Sequence, residues 1–274
     1  MIPATRRVGA GRPLVCHPGG PGASSLYFGD LAGLGEAFEL ILLDPRGTGT
    51  TPAPDDPRAY DLDDYVADLE ELRVDLGLDA IDLLGHSHGG IVAIAYAAAH
   101  PQRVRRLVLA STLACFHAEQ EEAMLAGMRR HEREPWYADA IAALEAEQTG
   151  AFTTQEELSE LTRREMPLYV SRYGEEERHY LERLEAEVWN ADALKLFNEE
   201  SFTTFDLRPQ LSRIAAPTLV ITGEDDFITG PVCARELAEL APRAELVILP
   251  AAGHFVFVEA ADRFREEVTR FLST

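Results

Sequence analysis

Lysine is almost missing from this chain. Of its 25 basic residues only Lys195 is a lysine, so a phosphate-binding Gly-x-x-x-x-Gly-Lys-Ser/Thr loop is excluded. Cysteine is scarce too: Cys16, Cys115 and Cys233 are odd in number, scattered and in no metal-ligand spacing. That speaks against a disulfide framework or a metal site and for a reduced, cytoplasmic protein. No run approaches the roughly 18 consecutive apolar residues that a bilayer span requires. The segment from Met1 to Pro13 carries three arginines but no apolar stretch, so no secretory signal is expected. Positive charge is short overall. The net charge of −22 would repel nucleic acid and anionic membrane surfaces but does not identify a substrate; a small molecule or a short peptide is the expected partner. No motif calls for a cofactor, and the sequence carries no signal of oligomeric state.

What is present is a chain of 274 residues, 46 % hydrophobic and 26 % charged, enough for one large core. Short apolar runs alternate with helical patterns, the rhythm of a parallel sheet with crossover helices. Strands are expected at Arg12 to His17, Phe38 to Leu43, Ile81 to Leu84 and Val104 to Leu109. Leu62, Tyr65, Val66, Leu69, Leu72 and Leu76 are spaced three and four apart, which predicts an amphipathic helix ended by Gly77. A second, small-residue helix is expected over Gly89 to Ala99. From about Ala114 to Phe205 the strand signal stops. That stretch reads as helical, is interrupted at Pro135, Gly150, Pro167 and Gly174, and holds 21 acidic against 9 basic residues. The rhythm resumes with strands at Thr218 to Thr222 and Glu245 to Leu249, a helix near Val232 to Leu240 and a last helix from about Val258. The expected division is a core of residues 1–113 and 206–274 with a helical insert at 114–205.

Gly85-His86-Ser87-His88-Gly89 is a G-x-S-x-G motif at the junction of a predicted strand and a predicted helix. A serine on such a turn projects at a helix N-terminus, where backbone N–H groups and the dipole favour developing negative charge. A serine hydroxyl needs a base to act as a nucleophile. Among the eight histidines, His254 is the candidate, because it follows a strand and a short turn near the end of the chain. The acid that orients it is expected after the Thr218 to Thr222 strand, in Gly223-Glu224-Asp225-Asp226, where Asp225 and Asp226 both qualify. Pro18-Gly19-Gly20-Pro21-Gly22 follows the first strand, and the N–H groups of Gly20 and His88 would form an oxyanion hole. In Asp44-Pro45-Arg46-Gly47-Thr48-Gly49 an Asp44–Arg46 pair stiffening the loop is expected. His86 and His88 point apart on a tight turn and do not suggest a metal.

Taken in order, Gly19-Gly20-Pro21-Gly22, Asp44 to Gly49, Gly85 to Gly90, Gly223 to Asp226 and Gly253-His254-Phe255 resemble the α/β-hydrolase superfamily, and within it the proline iminopeptidase branch. The resemblance implies an α/β fold with a mostly parallel central sheet flanked by helices, and a helical cap inserted between strands. It implies Asp226 as the acid, through the G-x-x-D pattern, and Gly20 with His88 as the oxyanion hole. It also implies cap glutamates that bind a substrate's free amino group, for which Glu199 and Glu200 are the candidates. The chain departs from the branch at Pro18, where histidine is usual, at His88, where tryptophan is common, and at Phe227, where some members are acidic. With about 12 residues before the first clear strand, the usual N-terminal hairpin is expected to be truncated. The expected activity is that of a serine hydrolase working through an acyl-enzyme on Ser87, His254 and Asp226. An aminopeptidase releasing N-terminal proline or another small residue is one form of it, and a carboxylesterase or lactonase the other. A catalytically silent binding protein is disfavoured by the complete residue set.

Overall fold

Strands buried on both faces should read as continuous apolar runs rather than alternations, and those of this chain do. The structure is a computed structural model describing residues 1–184, 189–198 and 204–274. Its seven strands are β1 (Ala4–Val8), β2 (Arg12–His17), β3 (Phe38–Asp44), β4 (Ile81–His86), β5 (Val104–Ala110), β6 (Thr218–Gly223) and β7 (Ala244–Leu249). They form one sheet in the order β1-β3-β2-β4-β5-β6-β7, parallel except for β1. Successive residues go to opposite faces. Leu14, Leu40, Leu42 and Leu84 pack in one cluster with Phe264, Val268 and Phe271, whereas Val15, Ile41, Leu43 and Leu83 pack in another with Leu69, Ile94 and Leu237. The first cluster is covered by the last helix and the second by helices from the middle of the chain.

In chain order the helices are α1 (Leu62–Asp75), α2 (His88–Ala99), α3 (Ala118–Met128), α4 (Tyr137–Gln148), α5 (Gln155–Glu165), α6 (Glu175–Arg183), α7 (Ala191–Leu196), α8 (Arg208–Leu211), α9 (Pro231–Leu240), α10 (Val256–Glu259) and α11 (Ala261–Ser273). Between β5 and β6 the described chain is helical, apart from an isolated bridge between Cys115 and Asp206. Pro135, Gly150, Pro167 and Gly174 all fall between its α-helices. Among the described residues, no helix is long and apolar enough to cross a membrane.

Two expectations need correcting. The chain does not begin its sheet at Arg12: β1 lies antiparallel on the outer edge of β3. Its central Thr5-Arg6-Arg7 is exposed, so there is no apolar alternation to detect, and charge on an edge strand discourages pairing with other chains. Nor does Asp44 pair with Arg46. Asp44 accepts from the backbone and hydroxyl of Ser25, both at 2.9 Å, and ties the strand end to the glycine-rich loop region. Arg46 reaches α1 instead, where its Nε and Nη2 each donate to Asp68 at 2.7 Å and its Nη1 lies 3.0 Å from Asp64. Arg46 and Asp68 are both buried. Removing the Asp68 charge would leave the buried Arg46 with only the half-exposed Asp64 as a counter-ion, which is more costly than replacing both members of the buried pair. Asp68→Asn is therefore expected to lower the unfolding free energy by about 3 kcal/mol, read from the shift of the urea midpoint. A change below about 0.5 kcal/mol, the level of an ordinary surface substitution, would contradict this.

Candidate active site

The glycines of the G-x-S-x-G motif let α2 press against the sheet. A Cβ on Gly89 would lie 2.3 Å from the carbonyl oxygens of His17 and Pro18, and one on Gly85 would lie 2.3 Å from the carbonyl oxygen of Gly89. The chain turns from β4 into α2 at Ser87, whose φ of 54° is in the left-handed region that L-residues avoid. Its N–H is held by the Ala110 carbonyl of β5 at 3.0 Å. Gly19 is flush against this turn, since a Cβ there would sit 2.8 Å from the Ser87 Cβ. Gly20 and His88 line the same cavity as Ser87, and among the described residues neither backbone N–H has an acceptor.

His254 follows β7, and its backbone is pinned on both sides. Its N–H donates to Tyr169 at 2.7 Å, and its carbonyl accepts from His86 Nε2 at 3.0 Å. Its Nδ1 lies 3.0 Å from Asp226 Oδ2, and an ionised carboxylate can only accept, so that nitrogen carries a proton. Asp226 is saturated with donors: Ile228 and Thr229 N–H on Oδ1 at 3.1 Å each, and the Thr229 hydroxyl on Oδ2 at 2.7 Å. Burial alone would raise its pKa. The His254 pairing and the Thr229 donors outweigh that and hold the carboxyl at about 2. Asp225, the other sequence candidate, faces away, paired with Arg130 and accepting from Ser171 Oγ at 2.5 Å.

Ser87 and His254 face one cavity of about 350 Å³, walled by apolar side chains such as Phe116, Met124, Trp189 and Phe197. Into this lining the chain between β5 and β6 also sends the exposed Glu121 from α3 and two further carboxyls, Glu147 from α4 and Glu165 from the end of α5. The latter two side chains are buried. Glu147 accepts from Asn198 Nδ2 at 3.0 Å, and among the described residues Glu165 Oε2 has no partner. Other buried carboxylates are matched by cations: Asp68 by Arg46, Asp82 by Arg12 and Arg105, Glu177 by Arg172. Glu147 and Glu165 are in no such pair among the described residues. Burial pushes Glu147 from its ordinary 4.5 to about 7 and Glu165 well above the usual range, the latter raised further by its neighbour. Glu199 and Glu200, the sequence candidates for this role, lie outside the described residues. A signal for the observed pair did exist. Glu165 continues the buried spacing Leu158, Thr162, and Glu147 continues Ala140, Ala143, Leu144, so each is an acid in an apolar stripe.

Elsewhere the fold brings Asp206 to the neighbouring Cys115 and His117. The Arg208 guanidinium supplies the cation there, donating to Asp206 and to His117 Nε2 at 2.7 Å each.

The chain belongs to the α/β-hydrolase fold family, whose model matches residues 12–261. Within that family it is proline iminopeptidase-like, and it is a hydrolase. It is 32 % identical to the proline iminopeptidase of Saccharolobus solfataricus, over 96 % of this chain and 86 % of that one. Against the proline iminopeptidase of Levilactobacillus brevis the identity is 28 %, over 95 % and 88 % of the two chains. Among solved structures, the enol-lactonase from Burkholderia xenovorans LB400 superposes with a TM-score of 0.75 at 26 % identity, covering 99 % of this chain and 96 % of that one.

The buried acids make a stability prediction that is independent of chemistry. A carboxyl whose pKa is raised in the folded state binds its proton more tightly there than in the unfolded chain. Its neighbourhood therefore loses stability as pH rises from the unfolded value toward 7. Glu147→Gln removes this penalty, so the variant is expected to gain about 2 kcal/mol relative to wild type between pH 5 and pH 8. Urea unfolding at the two pH values measures it. An unchanged difference would mean that Glu147 titrates normally.

Proposed function

We propose that the protein is a serine hydrolase working through an acyl-enzyme, and that its substrates are short peptides or amides bearing a free N-terminal amine. His254 Nε2 takes the proton from Ser87 Oγ as that oxygen attacks the scissile carbonyl carbon. The N–H groups of Gly20 and His88 hold the resulting oxyanion. The imidazolium, stabilised by the Asp226 carboxylate, then gives its proton to the leaving amine, and the acyl group stays on Ser87. Water, deprotonated by the same imidazole, releases the acyl group as an acid and restores the serine. Residues 114–205 act in this reading as a cap that closes the acyl pocket.

The observation that carries the aminopeptidase reading is the pair Glu147 and Glu165, two carboxyls buried in the cavity with no cation of their own among the described residues. A buried carboxylate is stable only when paired. A substrate ammonium would supply the missing charge, and its arrival would draw the pair into its ionised form. An uncharged ester has no use for such a pair.

The following outcomes are expected. Ser87→Ala should abolish fluorophosphonate labelling and lower kcat by roughly 10⁴- to 10⁶-fold, and Asp226→Asn should cost far more activity than Asp225→Asn. Wild type should prefer a free prolyl anilide to its N-acetylated form, and Glu165→Gln should lose roughly 10- to 100-fold on the free amine alone, since charge-assisted contacts are worth ~1.5 to 3 kcal/mol. KM for the free amine should rise on acidification through pH 7, because protonating Glu147 removes the charge that attracts the ammonium. Equal rates on free and acetylated anilides, with fast hydrolysis of a simple acyl ester, would replace the aminopeptidase by an esterase or lactonase.

A further inference from the structure

His86 and Tyr27 are buried beside Ser87 at the edge of the same cavity, and their hydrogen bonds have one consistent direction. The His254 carbonyl can only accept, so His86 Nε2, at 3.0 Å, carries a proton. Burial, with the His254 ring alongside, pushes the His86 pKa down to about 3, so the ring is neutral and its Nδ1 is bare. Tyr27 O–H lies 2.8 Å from that nitrogen and therefore donates to it. The phenol oxygen in turn accepts the Gly19 N–H at 2.6 Å. The chain Gly19 N–H, Tyr27 O–H, His86 Nε2–H, His254 C=O thus spans from the glycine-rich loop to the histidine loop. Tyr27 and His86 are both buried, and Tyr27 is packed among Phe28, Phe255 and Phe257.

We infer that Tyr27 and His86 are positioning residues that hold the oxyanion loop and the general base at a fixed separation across Ser87. This rests on the assignment of Gly20 and His254 made above. Gly19 immediately precedes Gly20 and abuts the Ser87 Cβ, so tethering its N–H fixes where the next N–H can point. The same strut, at its other end, holds the backbone that carries the base. Both groups must meet one tetrahedral carbon, and a displacement of about 1 Å can cost 100-fold in rate. The strut also gives a reason for histidine at the first variable position of G-x-S-x-G: a neutral imidazole presents a donor and an acceptor on opposite sides.

The test measures fluorophosphonate labelling rates, kcat and KM for wild type, Tyr27→Phe, His86→Gln and His86→Leu, with Ser87→Ala as the labelling blank. Tyr27→Phe should slow labelling and kcat by roughly 10- to 100-fold with KM and Tm little changed. His86→Gln, whose amide offers both a donor and an acceptor, should retain more activity than His86→Leu, and this pair decides the matter if the Tyr27 variant does not fold. The ¹⁵N shifts of His86 should report a neutral Nε2–H tautomer from pH 5 to 8 in wild type, altered in Tyr27→Phe. Labelling of Tyr27→Phe at the wild-type rate, or a loss matched by lower Tm and raised KM, would overturn the strut. Equal activity of the two His86 variants would do the same. A wild type that does not label, or a Ser87→Ala that does, would bring down the site assignment itself, and the strut with it.

Discussion

The close contact between β4 and α2 is the constraint on which the site depends. Two backbone segments meet there at a distance that admits no side chain, because Gly85 touches the Gly89 carbonyl and Gly89 touches those of His17 and Pro18. This contact forces the reversal at Ser87 into a positive φ and presses the glycine-rich loop against the serine. Strain of that kind costs about 1–3 kcal/mol and persists only where the surroundings over-determine it. Here the surroundings are the doubly covered sheet, with β4 buried along its whole length.

The loops at the same end of the strands converge because each is tied to a neighbour by backbone hydrogen bonds. Tyr169, in the insert, accepts the N–H of His254. Asn190 donates its N–H to Gly22 at 2.9 Å and its side-chain amide to Gly47 at 3.0 Å. Tyr169 and Asn190, both between β5 and β6, thus bond the histidine loop, the glycine-rich loop and the Arg46 loop.

Buried negative charge is handled in three ways. Among the described residues, Asp68, Asp82 and Glu177 are neutralised by arginine, which suits a chain that has almost no lysine: the guanidinium fork binds a carboxylate with two parallel bonds, as Arg46 does with Asp68. Asp226 is neutralised by donors and by the histidine it orients. Glu147 and Glu165 differ in facing the cavity with no cation among the described residues.

Much of the fold and part of the site were legible in the amino-acid order, because their signals are local. Buried strands announce themselves as runs of Leu, Ile and Val, helices as three-and-four spacings, and the serine turn as five consecutive residues. The breaks at Pro135, Gly150, Pro167 and Gly174 were equally plain, since proline and glycine act on their own backbone. The edge strand at Ala4–Val8 was not legible, because it buries too little to need an apolar pattern. What only the tertiary structure decided are pairings across long stretches of chain. Arg46 chose Asp68 over the nearby Asp44, His254 met Asp226 and not Asp225, and Tyr27 reached His86 across 59 positions. The physical reason is the same in each case. Local patterning records whether a side chain is buried, whereas the identity of a buried polar group's partner depends on which segments the sheet brings within 3 Å, and that is set by strand order and loop path together.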